Sequence, residues 1–378
     1  MPLPEIHGHD EVRALLTRSA RANALPQSIL IHGPAGVGKE RLALWIASLL
    51  VCQDENAPCG RCSPCLKSGK LEYPDVHWFF PLPRPESTSP EKLRDRLEEM
   101  RAVELQLYRE KPYRVQEWEK APAHFLQAIR TIQNLASMRP SVGSRKVFVV
   151  GDAELMVPQE ATQEAANAFL KLLEEPPTET TFILTTSQPG ALLPTIMSRV
   201  LSVRVGIVPE EDVRRLLEGS GMARGDDAAK IARRANGSVR RALMLAGGGG
   251  ADTEREAGKA MLLAALSDGP VPRLALANER KPTGARAEFT GELDAFAEWL
   301  RDLLAVASGA TERVSGTDGV PILKRAVEQR HIPADGIMTA IERVSSARDL
   351  AYRNVNPQLI LAELIRHVQR DLSPAAAS

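Results

Sequence analysis

The residues with the clearest chemical potential form a glycine-rich loop, Gly33-Pro-Ala-Gly-Val-Gly-Lys39-Glu40, which follows the apolar run Ser28 to His32. Glycines allow successive backbone N–H groups to surround a phosphate at a helix N-terminus, and the pattern GxxxxGK is complete. The next position normally holds Ser or Thr, whose hydroxyl binds Mg²⁺, but here it is Glu. The candidate nucleotide-binding residues of this loop are Gly33, Gly36, Gly38, Lys39 and Glu40.

A second ligand for Mg²⁺ is missing at the end of the apolar run Lys146 to Val150, which reads as a buried parallel strand. In a P-loop ATPase this strand ends in two acidic residues, one that holds Mg²⁺ and one that polarises the attacking water. Here the first place is Gly151, and only Asp152 stands beside the strand end. Binding of ATP or ADP therefore stays possible at a degenerate Mg²⁺ site, whereas we expect little or no ATP hydrolysis by this chain.

The four cysteines form a single cluster with the spacing C-x6-C-x2-C-x2-C, and turn-forming proline and glycine residues lie between them. Four thiolates on tight turns suit a closed tetrahedral Zn²⁺ site that has no open position for catalysis. Such clustering in an enzyme-sized chain favours metal over disulfides. We therefore predict a structural zinc knuckle over residues 52–65, with four reduced cysteines in a loop as the alternative. The predicted ligands are Cys52, Cys59, Cys62 and Cys65.

The composition is that of an ordinary globular protein with two or three domains: 378 residues, 43% of them apolar and 25% charged. Lys+Arg and Asp+Glu both number 48, so any contact with nucleic acid would have to come from a local basic patch. The N-terminal residues lack the pattern of a secretory signal, and no apolar run approaches the roughly 18 residues of a membrane span. We therefore expect a cytoplasmic protein without membrane contact.

Helix and strand periodicities around these motifs indicate an α/β domain. Apolar spacing predicts helices over 10–22, 41–51, 124–138 and 160–173, and strands over 28–32, 76–80, 146–150, 181–186 and 201–205. Ser187 directly follows the strand 181–186, at the edge where open α/β sheets bind ligands. A hydroxyl at this point could sense a γ-phosphate.

Residues 81 to about 122 differ in composition from their surroundings, with several prolines followed by dense mixed charge. We interpret them as an insertion that contains one or two exposed helices. Tyr108, Tyr113 and Trp118 interleave with arginine and lysine, a pattern typical of a nucleic-acid or protein contact. The alternative, which we favour, is a solvated helical excursion whose aromatic rings fold inward.

The second half of the chain is helical from Val208 onward, with Ser238 as the expected N-cap of one helix. Four consecutive glycines at 247–250 separate a short helical region from amphipathic runs at 287–307, 320–330, 336–352 and 358–370. The sequence therefore predicts three domains, over residues 1–206, 207–250 and 251–378.

Taken in this order, the motifs resemble the clamp-loader branch of the AAA+ ATPases over nearly the whole chain. Besides the glycine loop and the cysteines, they are His7-Gly8-His9, Ala165 to Pro177, Leu193 to Arg199, Gly237-Ser238-x-Arg240-x-Ala242-Leu243, and Ala347 to Leu359. The resemblance implies an α/β P-loop AAA+ domain with an inserted zinc knuckle, then a small helical lid domain, then an all-α C-terminal collar for oligomerisation. Two features depart from the branch: its Ser-Arg-Cys triplet ends here in Val200, and the insertion is longer than the usual connection.

In this branch, subunits form an open ring in which each ATP site is completed by the Ser-Arg motif of the neighbour. The resemblance therefore implies that Arg199, together with Ser198, acts as an arginine finger on ATP held by an adjacent gamma/tau subunit. Such fingers accelerate phosphoryl transfer by roughly 10³ to 10⁵. A solvated loop arginine is the alternative. The same resemblance adds Asp152, Ser187 and Arg240 to the nucleotide-binding candidates.

The partners implied are the gamma/tau and delta subunits, with the sliding clamp and primer-template DNA reached through the complex. The chain would then be a component of a DNA polymerase holoenzyme whose polymerase activity resides in other subunits. Two other classes stay open from the sequence. One is an ATP-hydrolysing motor, either a gamma/tau-like clamp-loader subunit or a related AAA+ repair ATPase, which Glu40 and Gly151 oppose. The other is a zinc-dependent nucleic-acid-binding protein with a vestigial P-loop, which the neutral charge balance opposes.

Overall fold

The structure, a computed structural model, describes residues 5–86, 90–116, 118, 120, 122–156, 164–248, 251–280, 286–311, 314, 319–352 and 355–373. The chain divides into two compact units, one of residues 1–116 and 120–247 and one of residues 117–119 and 248–378, so the main boundary falls between Gly247 and Gly248. This boundary lies within the predicted glycine joint. The further division of the first unit into a P-loop domain and a lid domain stays a prediction.

The first unit alternates strands and helices through residue 204 and is helical after that. Its elements are α1 (Asp10–Arg21), β1 (Ser28–His32), α2 (Lys39–Val51), α3 (Ser63–Ser68), β2 (Val76–Phe79), β3 (Leu82–Pro83), α4 (Pro90–Glu110), β4 (Pro122–Ala123), α5 (Leu126–Ser137), β5 (Lys146–Val150), α6 (Glu164–Glu174), β6 (Thr180–Thr186), α7 (Pro194–Met197), β7 (Leu201–Arg204), α8 (Glu210–Ser220), α9 (Gly225–Ala235) and α10 (Val239–Ala246). Two 3-10 turns, Ala153–Met156 and Pro189–Ala191, follow β5 and β6. Part of the helix predicted over 160–173 lies outside the described residues.

Five of the strands form one sheet in the order β2-β5-β6-β1-β7, and all neighbouring pairs are parallel. This arrangement confirms the predicted α/β class with a parallel sheet. Because β6 lies between β5 and β1, the segments that follow these three strands meet at the carboxyl edge of the sheet. The register pairs His32 with Thr186 and Val150 with Leu184, so the three strand ends lie almost level.

Helices α5 and α6 pack on one face of the sheet, and the side chains between them are apolar. Phe182 of β6 stacks on Phe148 of β5 with 5.4 Å between ring centroids and meets Phe169 of α6 edge-on at 5.6 Å. All three rings are fully buried. Full burial of such a ring contributes about 1.5–3 kcal/mol, so these contacts fix the sheet against its helices.

The inserted region contains one long helix, α4, after the short strand β3. Tyr108 near the end of α4 packs on Trp78 and Phe80, with centroid distances of 4.8 and 6.2 Å. Arg109 donates to the carbonyls of Lys70 and Leu71, which follow the cysteine cluster. Tyr108 thus points inward, as the favoured alternative predicts.

The second unit is all helical in its described residues, as predicted. Its helices are α11 (Ala251–Ala265), α12 (Val271–Asn278), α13 (Arg286–Ala307), α14 (Val320–Arg330), α15 (Ala334–Tyr352) and α16 (Pro357–Asp371). The predicted cap Asn356 accepts a hydrogen bond from the backbone N–H of Gln358 at 2.8 Å. The core of this unit includes the buried side chains Leu293, Phe296, Leu300 and Leu303 of α13. Among the described residues, no helix combines the length and apolar character that crossing a bilayer requires.

Candidate functional site

The glycine loop joins β1 to α2 at the carboxyl edge of the sheet, as its sequence context predicts. Gly38 is the N-cap of α2 and adopts a left-handed conformation with φ of 90°. His9, just before α1, donates a hydrogen bond from Nε2 to the carbonyl of Val37 at 2.8 Å. The resemblance motif around His9 therefore supports the loop directly.

Lys39, the first residue of α2, is 6% exposed, and its ammonium group is already surrounded by protein oxygens. It donates to the carbonyl of Gly33 at 3.1 Å, to the carbonyl of Pro34 at 2.7 Å and to Oγ of Ser187 at 2.9 Å. A lysine has three N–H donors, and these three contacts use all of them. A phosphate group at this place would have to replace one of these acceptors.

Glu40 fills the space beside Gly151, so the two departures from the ATPase pattern are in direct contact. A Cβ atom built on Gly151 would lie 1.8 Å from Oε1 of Glu40 and 2.9 Å from its Cδ. The carboxyl group of Glu40 therefore occupies the position where the first acidic side chain of an ATPase would leave the backbone. An aspartate at 151 and the present position of Glu40 exclude each other.

The backbone of Gly151 is fixed from two sides. Its N–H donates to the carbonyl of Phe79 at 2.8 Å, and its carbonyl accepts from Nε2 of His124 at 2.7 Å. His124 is 4% exposed, and burial lowers its pKa to about 4, so the ring is neutral at pH 7. Any side chain added at Gly151 must consequently be accommodated by a movement of Glu40.

Three carboxyl groups crowd this edge, one more than the sequence analysis assigned to it. Glu154, in the 3-10 turn after Asp152, accepts a hydrogen bond from the backbone N–H of Ser187 at 3.0 Å. Burial raises the pKa of all three carboxyls, and the charge of Asp152 raises the other two further. The pKa of Glu40 rises to about 8, which makes its neutral form the main species at pH 7.

Two cationic groups, Lys39 and Arg240, act on this cluster. Burial lowers the pKa of Lys39, and the carboxylates of Asp152, Glu154 and Glu40 oppose that shift. The charge of Arg240 also acts on Glu40 and Asp152. With Glu40 mainly neutral, the carboxyl groups of Asp152 and Glu154 face these two bases, so the cluster offers no excess positive charge to a triphosphate without Mg²⁺.

The N-terminus of α10 contacts the glycine loop itself. The backbone N–H of Arg240 donates to the carbonyl of Gly36 at 3.0 Å, and a Cβ on Gly36 would lie 2.3 Å from Oγ of Ser238. Ser238 caps α10 as predicted, by accepting from the backbone N–H of Arg241 at 3.4 Å. Only glycine at 36 permits this approach, because its φ of +76° and the nearby hydroxyl both exclude a side chain.

The guanidinium of Arg240 is held by the inserted region. It donates to the backbone carbonyl of Gln116 at 2.8 Å, and the amide of Gln116 donates to Glu104 of α4 at 3.0 Å. The sequence predicted Arg240 as a nucleotide contact but gave no sign of this partner, because the partner atom belongs to the backbone of a distant segment. The structure therefore connects the insertion to the glycine loop through Arg240.

The four cysteines form a compact cluster between α2 and α3. Their Sγ atoms all lie within 4.8 Å of one another, and Cys52 and Cys62 are 3.8 Å apart. Backbone N–H groups of Asp54 and Cys59 donate to the sulfur of Cys52, each at 3.4 Å. Backbone N–H groups of Arg61 and Cys62 lower the pKa of Cys59 to about 6. These donors stabilise the thiolate of Cys59, the form in which cysteine binds metal, whereas burial raises the pKa of Cys52 and Cys65.

Arg199 and Ser198 lie on the turn that ends α7. Their described hydrogen bonds and ion pair involve no residue of the glycine loop. One terminal nitrogen of Arg199 donates to the carbonyl of Thr195 at 2.9 Å and to Oγ of Ser198 at 3.1 Å. The other forms an ion pair with Glu174 at 2.9 Å. The residue types of Arg199 and Ser198 mark them in the sequence, whereas the ion pair with Glu174 becomes visible only in the fold.

A family model described as "DNA polymerase III, delta subunit" matches residues 8–207, which is more than half of the chain. The matched residues include the glycine loop, the cysteines, the acidic cluster and Arg199. They end at β7 and the start of the helical region.

Curated relatives carry related names. DNA polymerase III subunit delta' of Pseudomonas aeruginosa is 34% identical over 172 residues, which are 45% of this chain and 40% of that protein. The subunit delta' of Escherichia coli is 25% identical over 95% of this chain and 93% of its own length. The tau/gamma subunit of Haemophilus influenzae is 25% identical over 64% of this chain, yet this match spans only 30% of that protein.

The contact between Glu40 and Gly151 predicts non-additive effects of substitution on stability. Gly151→Ala should destabilise the chain by about 1–3 kcal/mol, because the new methyl group must displace a packed carboxyl. In a Glu40→Ala background the same substitution should cost much less, because the obstructing side chain is gone.

Thermal unfolding midpoints of the wild type, the Gly151→Ala and Glu40→Ala variants and the double variant would measure this coupling. Gly190→Ala is the matched control, since a Cβ at Gly190 meets nothing within 4 Å. Equal shifts from Gly151→Ala in both backgrounds would show that Glu40 does not restrict position 151.

Proposed function

This chain belongs to the family described as DNA polymerase III, delta subunit, and on that premise we propose that it is the delta-prime subunit of a clamp loader. In this role it helps to load the sliding clamp on primed DNA during replication, as a largely non-hydrolysing AAA+ subunit. It supplies Arg199 to the ATP site of a neighbouring gamma/tau subunit and takes a delta subunit as a further partner. The observation that carries the proposal is the contact between Glu40 and Gly151, because it removes both Mg²⁺ ligands from this chain while Arg199 is retained.

The nucleotide site of this chain has the features of a scaffold. Lys39 spends its three donors on protein oxygens, and the first turn of α10 contacts the carbonyl of Gly36. Neither contact prevents weak binding of ATP or ADP, since Lys39 and the loop amides could exchange these partners for phosphate. Hydrolysis additionally requires a Ser or Thr hydroxyl and a first acidic residue as Mg²⁺ ligands, and Glu40 and Gly151 stand at those two positions here.

The candidate from another functional class is an ATP-hydrolysing motor. The similarity to the Haemophilus tau/gamma subunit favours this candidate, because the gamma/tau subunit is the one that holds ATP in the proposed loader. Glu40 and Gly151 oppose it, because they replace the hydroxyl and the first acidic residue that hold Mg²⁺ in a motor. Activity of the purified chain separates the two.

We expect the purified chain to show no Mg²⁺-dependent ATP turnover above background. A phosphate-release assay with and without Mg²⁺ measures this directly. The Lys39→Ala variant is the control, because it removes the phosphate-binding ammonium. Turnover that depends on Mg²⁺ and disappears with Lys39→Ala would contradict the scaffold role and support the motor.

In a reconstituted loader, Arg199→Ala should lower the ATPase activity that DNA and clamp stimulate, while the complex still assembles. Loss of an arginine finger costs roughly 10³-fold or more at the one site it completes. The exposed Arg130 of α5 offers a matched control, Arg130→Ala. Unchanged activity with Arg199→Ala would refute the finger role, and loss of the complex in gel filtration would indicate a structural one.

The cysteine cluster fits a structural Zn²⁺ ion. With Zn–S bonds of about 2.3 Å, a tetrahedral site places its sulfur atoms about 3.8 Å apart. The distance between Cys52 and Cys62 is 3.8 Å, and all four thiols are free of disulfides. Zinc bound by Cys52, Cys59, Cys62 and Cys65 would stabilise a segment too small to have a core of its own.

Purified protein should therefore contain about one Zn²⁺ per chain, and chelation should lower its thermal midpoint. Cys62→Ser should lose the metal and become insensitive to the chelator, whereas Ser63→Ala at the exposed neighbouring position should behave like wild type. Less than about half an equivalent of zinc in carefully purified protein would argue against the site.

A further inference from the structure

We propose that Glu174 is a positioning residue for Arg199: its carboxylate fixes the guanidinium in the orientation in which it reaches the ATP of the neighbouring subunit. This inference rests on the proposed arginine-finger function. It adds a residue of a different element, α6, to the group that completes the neighbour's site.

The contacts of Arg199 leave one side of the guanidinium for a ligand. A guanidinium carries five N–H donors in a rigid plane. Two of them, both on one terminal nitrogen, are used by the carbonyl of Thr195 and the hydroxyl of Ser198, and the other terminal nitrogen forms an ion pair with Oε1 of Glu174 at 2.9 Å. Within the described residues, the hydrogen bonds of Arg199 engage only that first terminal nitrogen, so Nε and the second terminal nitrogen, the edge that binds a phosphate in bidentate fashion, keep N–H donors for a ligand.

The position of Glu174 in α6 supports a role beyond helix stability. It is the last residue of α6 and is followed by Pro176 and Pro177, which end the helix. A carboxylate at a helix C-terminus lies beside the negative end of the helix dipole, which is unfavourable. The ion pair with Arg199 compensates this placement and connects the α7 turn to a rigid element of the sheet domain.

The same pair contributes little to folding, which makes the proposal testable. The side chains of Arg199 and Glu174 are 34% and 47% exposed, and exposed ion pairs of this kind are weak. A variant at Glu174 should therefore fold and assemble normally. Its effect should appear in the chemical step, where a preorganised guanidinium avoids an orientational penalty.

The test uses the reconstituted loader with Glu174→Gln, which keeps the size of the side chain and removes its charge. We expect kcat for stimulated ATP hydrolysis at the completed site to fall about two- to fivefold, with KM for ATP unchanged. Glu175→Gln is the matched control: an adjacent, exposed glutamate receives the same substitution. It should behave like wild type.

The decisive measurement is the double variant with Arg199→Ala. If Glu174 acts through Arg199, Glu174→Gln should cause no further loss once the arginine is absent. An unchanged or raised kcat with Glu174→Gln, an equal loss with Glu175→Gln, or the same loss in the Arg199→Ala background would each overturn the proposal. If Arg199→Ala alone leaves the activity unchanged, the finger function fails and the role of Glu174 fails with it.

Discussion

The parallel pairing of β6 with β5 and β1 is the constraint on which the site depends. Because β6 lies between these two strands, the glycine loop, the Gly151 turn and Ser187 meet at one edge. The glycine loop contributes two acceptors and Ser187 one to the contacts of Lys39, and the Gly151 turn provides the space for Glu40. A different strand order would separate these segments, and their residues could then not form one site.

The contact of Glu40 with Gly151 changes the meaning of two departures that look independent in the sequence. Each by itself reads as the loss of a metal ligand. In the fold they form one packing unit, because the absent side chain at 151 provides the space that the carboxyl of Glu40 occupies. A return to the ATPase pattern would therefore require both positions to change together.

Much of the fold follows from the sequence, whereas several contacts of the site do not. Strands β1 and β5 have the predicted bounds, because continuous apolar runs bordered by turn residues leave little freedom in placing them. The partner of Arg240 is a backbone carbonyl of the insertion, and backbone partners carry no signal in residue types. The contacts of Glu154 and Glu174 could not be predicted, because acidic residues after a strand or at a helix end are common. Only their tertiary contacts, with Ser187 and Arg199, distinguish these two.

The interior position of β1, between β6 and β7, also affects how the chain folds during synthesis. Ser28 pairs with Phe182, about 150 residues later, and Ile29 pairs with Leu201. During synthesis the apolar side chains of β1 therefore have no neighbouring strand to pair with until β6 and β7 have emerged from the ribosome. Contacts over such separations slow folding and expose aggregation-prone strands. We infer that the nascent chain depends most on protection by chaperones between the emergence of β1 and that of β6.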